Sequence, residues 1–168
     1  DFMVFRRIPA AGVVWRMGSP VGENGRAVSY EATRYVNLDK DYYLAVFETT
    51  QCQARHLFGK ETSLWKSYSY NIPGCETNLL PYCRFSYNSL RGNPNSSYSY
   101  WPDNGHQITY EEGFGAARSK YSFEFDYPTE AQWEFACRAG EPAAFNNGCE
   151  LLSNPYEPQL DDTAWHVG

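Results

Sequence analysis

No stretch of this 168-residue chain is apolar for long enough to cross a bilayer as a helix. No run of basic residues occurs, and Lys plus Arg number 14 against 20 Asp plus Glu, a net charge of -6. An acidic chain without a basic patch argues against nucleic acid and anionic membrane surfaces as partners. No charged-then-apolar leader opens the sequence, and the start at Asp1 is compatible with removal of one. No internal repeat, heptad pattern or interdomain linker is present. A phosphate-cradling glycine loop and a nucleophile elbow are also lacking, and the three histidines form no visible ligand set.

Aromatic residues, by contrast, are abundant. They make up 17% of the chain, with 14 Tyr, 10 Phe and 5 Trp, enough to build the core of one domain. Cysteine is present in odd number, five in all, so at least one thiol is unpaired or pairs outside the chain. Cys75 and Cys83 flank a Pro-bearing stretch that a disulfide between them would close. Such a bridge favours an oxidising compartment, hence an exported or cell-surface protein.

Short elements follow one another. Phe2 to Ile8 and Val13 to Met17 are apolar runs separated by the turn Pro9-Ala10-Ala11-Gly12. Tyr35, Val36 and Leu38 begin a third strand, and Tyr42 to Phe47 is the most strand-like run. Thr50-x-x-Gln53 has capping-box form and opens a helix over 51–58, with Gly59 as its stop. Ser67 to Asn71 and Tyr87 to Tyr100 read as loops by composition. A weaker helix lies near Gly113 to Lys120, and Phe123 and Phe125 alternate like a strand edge.

Phe125 to Gly140 carries the clearest local signal. Pro128 suits a helix entrance, Thr129 is an N-cap, and Thr129-x-x-Gln132 is a second capping box. Glu130 favours the helix dipole, and Glu134 and Arg138 form an i,i+4 pair. Trp133, Ala136 and Cys137 fall on one stripe, so Trp133 and Cys137 are expected to bury against a sheet. Gly140 is the expected stop. This is the pattern of a structural helix, and nothing in it demands catalysis.

Pro128 to Gly140 also resembles the helix written L-P-T-E-A-E-W-E-Y-A-x-R-x-G in the sulfatase-modifying-factor, or formylglycine-generating-enzyme-like, family. Five further segments resemble family landmarks in the same order. They are Arg7-Ile8-Pro9-Ala10 with Trp15-Arg16-Met17-Gly18-Ser19; Glu31 with Val36 and Leu38; Tyr43 to Gln51; Leu80 to Asn88; and Asp161-Asp162-Thr163-Ala164-Trp165. Three departures stand out: Asp126-Tyr127 for the usual Arg-Leu, which resembles a bacterial subgroup; Tyr82-Cys83 in the fourth motif; and Thr49 for Val.

The resemblance implies one α+β domain over 1–168 with a C-type-lectin-like fold: a small antiparallel sheet, two main helices and extensive loops. It also implies that a second half of the fold lies outside this chain. That half would carry the catalytic cysteine pair of the true oxidases and most calcium ligands. No catalytic residue, metal ligand or cofactor is therefore assigned here, and calcium or copper would come only with the missing half. Cys137 sits where some members have a disulfide to that half; a buried free thiol is the alternative.

Cys52 and His56 stand at i,i+4, a spacing that can ligate metal but supplies only two ligands. Glu130 and Glu134 read as dipole and solvent residues. His106 lies in a loop with no evident nucleophile nearby, and Cys149 is a loop thiol for which a disulfide and no role are equally open. The ligand-binding candidates are Tyr68, Tyr70, Tyr98, Tyr100 and Trp101, set among Ser and Asn as in antibody paratopes. The functions implied are a binding or display scaffold for a protein or carbohydrate, the N-terminal part of a copper-dependent oxidase of sulfatase cysteines, or an accessory role. A second chain completing the sheet is the expected partner.

Overall fold

The computed structural model describes residues 2–58, 79, 81, 82, 85, 87–91, 108 and 113–152. These residues form an α+β structure with two small two-stranded sheets. The strands are β1 (Phe5–Ile8), β2 (Val13–Met17), β3 (Arg34–Leu38) and β4 (Tyr42–Ala45), and the helices are α1 (Gln51–Phe58), α2 (Tyr87–Arg91), α3 (Gly113–Tyr121) and α4 (Glu130–Arg138). β1 pairs with β4, and β2 with β3. The fold divides into two compact units, one of Asp1–Arg6 with Ala45–Tyr127, the other of Arg7–Leu44 with Pro128–Gly168.

In the second unit β2 and β3 are antiparallel, with Val13 opposite Leu38, Trp15 opposite Val36 and Met17 opposite Arg34. Directly opposed residues share a face, so Val13, Trp15 and Met17 line up with Val36 and Leu38. Met17 and Leu38 are buried on that face, while Val14 and Tyr35 on the other are exposed. Asp41 fixes the turn at Pro9 to Gly12. Its Oδ1 accepts from the N–H groups of Ala10 and Ala11, each at 2.9 Å, and its Oδ2 takes Arg7 Nη2 at 2.6 Å. These hydrogen bonds, the one from Ala11 first, hold the Asp41 carboxyl below its usual range.

α4 starts as its sequence demands. The Thr129 hydroxyl accepts from Gln132 N at 3.2 Å, and Gln132 Oε1 accepts from Thr129 N at 2.9 Å. Its far end differs from expectation: Ala139, ahead of Gly140, already takes the left-handed conformation at φ 51, and Gly140 follows at φ 95. Its buried stripe differs too. Trp133 is 56% exposed and Cys137 is exposed. The ring that packs inward is Phe135, 5.5 Å from Trp15. The reason lies outside the helix: the Gly18 amide and the Trp15 ring take up Glu134 and Phe135, which turns the Trp133–Cys137 stripe away.

In the first unit, Thr50 and Gln53 form the capping box of α1, with Gln53 Oε1 accepting from Thr50 N at 3.0 Å. The core gathers Leu90, Ile108 and Phe114, with Phe58, Tyr82, Phe125 and Tyr127 packed against it. Tyr87 to Arg91, expected as loop, is α2. Leu90 is buried there, and the Arg91 guanidinium lies 5.3 Å from the Tyr87 ring centre one turn earlier. Phe123 and Phe125 form no strand. Ser122 is left-handed at φ 55, and Phe125 N donates to Phe123 O at 2.9 Å, a tight turn incompatible with extension.

Candidate functional site

The predicted ligand-binding residues Tyr68, Tyr70, Tyr98, Tyr100 and Trp101 lie outside the described residues, as do Cys75, Cys83, Gly59 and His106. Four of the described residues near the ends of those segments meet in one place, while Leu79 is exposed. Phe58 precedes 59–78 and Tyr82 follows it; Leu90 and Arg91 precede 92–107 and Ile108 follows it. Phe58, Tyr82, Leu90 and Ile108 all belong to the apolar cluster of the first unit.

An aromatic column supports that cluster. The Tyr82 and Phe85 rings stack at 4.9 Å and 6°, Phe85 and Tyr127 at 6.4 Å and 16°, and Tyr127 and Tyr87 at 5.6 Å and 19°. Phe114 closes the column edge-on against Tyr127 at 4.9 Å. Each such pair contributes about 0.5–1.5 kcal/mol beyond its buried area. Burial pushes the Tyr127 phenol well above its usual range, with Tyr82, Asp126 and Tyr87 adding to the shift. A phenol held neutral in this way packs and hydrogen-bonds; it is not a base at neutral pH. Beside it Asp126 joins α2 to α3, with Oδ1 3.1 Å from Arg91 Nε and Oδ2 3.4 Å from Arg118 Nη2.

The second unit holds a cleft of about 240 Å³ bordered by Trp15, Arg16, Phe135, Arg138 and Glu141. Among the described residues its lining contains no thiol, hydroxyl or imidazole, and its one carboxylate is that of Glu141. The Trp15 indole N–H is buried without a hydrogen-bond partner among the described residues.

Glu134 is the residue that sequence reasoning underrated. Expected in solvent, its side chain is 18% exposed; Oε1 accepts from Gly18 N at 2.9 Å and Arg138 Nε at 2.8 Å. Arg138 in turn donates to Ala143 O at 2.9 Å. The Arg138 pairing was legible from the spacing, but the Gly18 contact spans 116 residues and leaves no local signal. Glu130 is exposed in the first turn, 3.5 Å from Arg34.

Among the described residues no three His, Cys, Asp or Glu side chains converge to hold a metal. Cys52 and His56 do meet, with Sγ 3.7 Å from Nδ1. Cys52, Cys137 and Cys149 are free thiols. Among the described residues no helix is long and apolar enough to cross a membrane. Comparison with protein-family models, curated proteins and solved structures gives no match to this chain.

Proposed function

We propose that this chain is a sulfatase-modifying-factor-like domain of C-type-lectin-like type that acts as a non-catalytic binding or display scaffold. The six ordered sequence motifs motivate the family reading. The way motif residues interlock in the second unit supports it: Gly18 of the first motif donates to Glu134 of the helix motif, and Ser19 N donates to Glu31 O of the second at 3.0 Å.

The single observation that carries the binding role is the common root of the two Tyr-rich segments. Their flanking residues Phe58, Tyr82, Leu90 and Ile108 share one cluster. Binding surfaces are characteristically carried on connections held by a rigid scaffold. Tyr and Trp supply contact area at low entropic cost, and Ser and Asn supply adaptable hydrogen bonds.

The test compares the native chain with a variant in which Tyr68, Tyr70, Tyr98, Tyr100 and Trp101 are all Ser, on oligosaccharide and displayed-peptide arrays. The scaffold reading expects ligand capture by the native chain and at least a tenfold loss in the variant, consistent with aromatic anchors dominating binding. Equal signals from both proteins would remove it. The alternative is the N-terminal part of a copper-dependent oxidase. Its catalytic cysteines would lie outside this chain, so only the chain completed by that second half, supplied with Cu(I), oxygen and a sulfatase-derived cysteine peptide, would convert the thiol to an aldehyde, read by mass.

A further inference from the structure

We propose that residues 120–124 form the centre of a two-fold contact with a second copy of this chain. α3 ends at Tyr121, and Ser122 then enters the left-handed region at φ 55, its N–H held by Arg118 O at 3.0 Å. Tyr121 and Phe123 both pack on the Phe125 ring, with centres 6.3 and 5.9 Å away, and Phe5 reaches the same ring at 6.3 Å. Val46 N donates to Val4 O at 2.9 Å, which brings Phe47 to the same end of β1. All these residues belong to the first unit. Phe125 is half-buried, but Phe5 is 40%, Phe47 72%, Tyr121 37% and Phe123 67% exposed.

An aromatic side chain presents roughly 200 Å², so these four leave roughly 400 Å² of ring surface in water. Exposed hydrophobic residues scattered singly need no explanation, but a shared patch of this size marks an interaction surface. Interfaces are about 60% apolar, so the patch matches a face of roughly 700 Å² per partner, close to the ~800 Å² of a standard interface.

The order of side chains points to the partner. From 120 to 124 the segment is Lys120-Tyr121-Ser122-Phe123-Glu124. Turned end for end, it pairs lysine with glutamate, tyrosine with phenylalanine, and serine with itself. A two-fold contact uses one patch on both copies, so each residue meets its complement twice. An axis at Ser122 sets Lys120 against the second copy's Glu124, and Tyr121 against its Phe123. Lys120 is already placed: Nζ donates to His56 O at 3.0 Å and lies 4.9 Å from the Tyr121 ring centre. Glu124 is exposed and makes no hydrogen bond or ion pair among the described residues.

The test is sedimentation equilibrium of the native chain over about 5–500 μM, the range in which a modest interface associates. The mass should rise from the 19.3 kDa of one chain towards twice that value. Lys120→Glu and Glu124→Lys, each shown folded by circular dichroism, set like charges against each other and should each weaken association by about tenfold or more. An equimolar mixture of the two variants restores both ion pairs and should recover the dimer. Where a charge variant does not fold, Phe123→Ser takes its place, with loss of the dimer expected. A native chain that stays monomeric, or that grows beyond a dimer, overturns the proposal. So do variants that associate as the native chain does, and a mixture of folded charge variants that remains monomeric.

Discussion

Ala139 occupies a conformation its side chain disfavours. At φ 51 its Cβ crowds the following carbonyl, a cost of about 1 kcal/mol that glycine avoids. Ala139→Gly is expected to stabilise the fold by about 0.5–1 kcal/mol in thermal denaturation. Gly140→Ala should cost about 1 kcal/mol by backbone strain alone, since among the described residues beyond its chain neighbours no atom lies within 4 Å of the added methyl. A second residue-scale effect depends on pH. The Asp41 carboxyl is depressed in the fold, so its contribution is fully present above the unfolded value, about 3.9, and is lost as pH falls through the lower folded value. Asp41→Asn should therefore lower the denaturation midpoint at pH 7, and the gap to the native chain should close as the pH drops below about 4. A gap constant from pH 7 to pH 2 would contradict this.

At the scale of elements, α4 is held to β2 by one carboxylate and one ring. Glu134→Ala removes the acceptor for Gly18 N and leaves Arg138, 19% exposed, without its carboxylate partner. Hydrogen bonds to a charged group contribute about 1.5–3 kcal/mol, so a loss of about 2 kcal/mol is expected in urea titration. Glu134→Gln should recover part of it, because an amide oxygen can still accept from Gly18. The sequence announced where α4 begins, because Thr129 and Gln132 act on each other locally. It did not announce which stripe turns inward, because Trp15 and Gly18 decide that from over a hundred residues away. α2 was hidden for a similar reason: Tyr, Asn and Ser carry loop composition, and only burial of Leu90 and the placement of Arg91 over Tyr87 favour a helical turn.

On the scale of the whole molecule, the α+β character and the four strands were readable from short apolar or strand-like runs and the turns between them. α1 was readable from its capping box, down to its bounds at Gln51 and Phe58. The aromatic column was not, since nothing in the spacing of Tyr82, Phe85, Tyr87 and Tyr127 shows that their rings stack. The candidate site divides in the same way. The proposed ligand-binding residues are legible by composition alone, and the cluster near the ends of their segments emerges only in three dimensions. That cluster has a consequence for chain length. Among the described residues, Phe58 and Tyr82 belong to it on either side of 59–81, and Leu90 and Ile108 on either side of 91–107. Doubling the length of chain between fixed ends costs only about 0.6 kcal/mol. A change in the length of chain between these anchors is therefore expected to cost little in closure entropy.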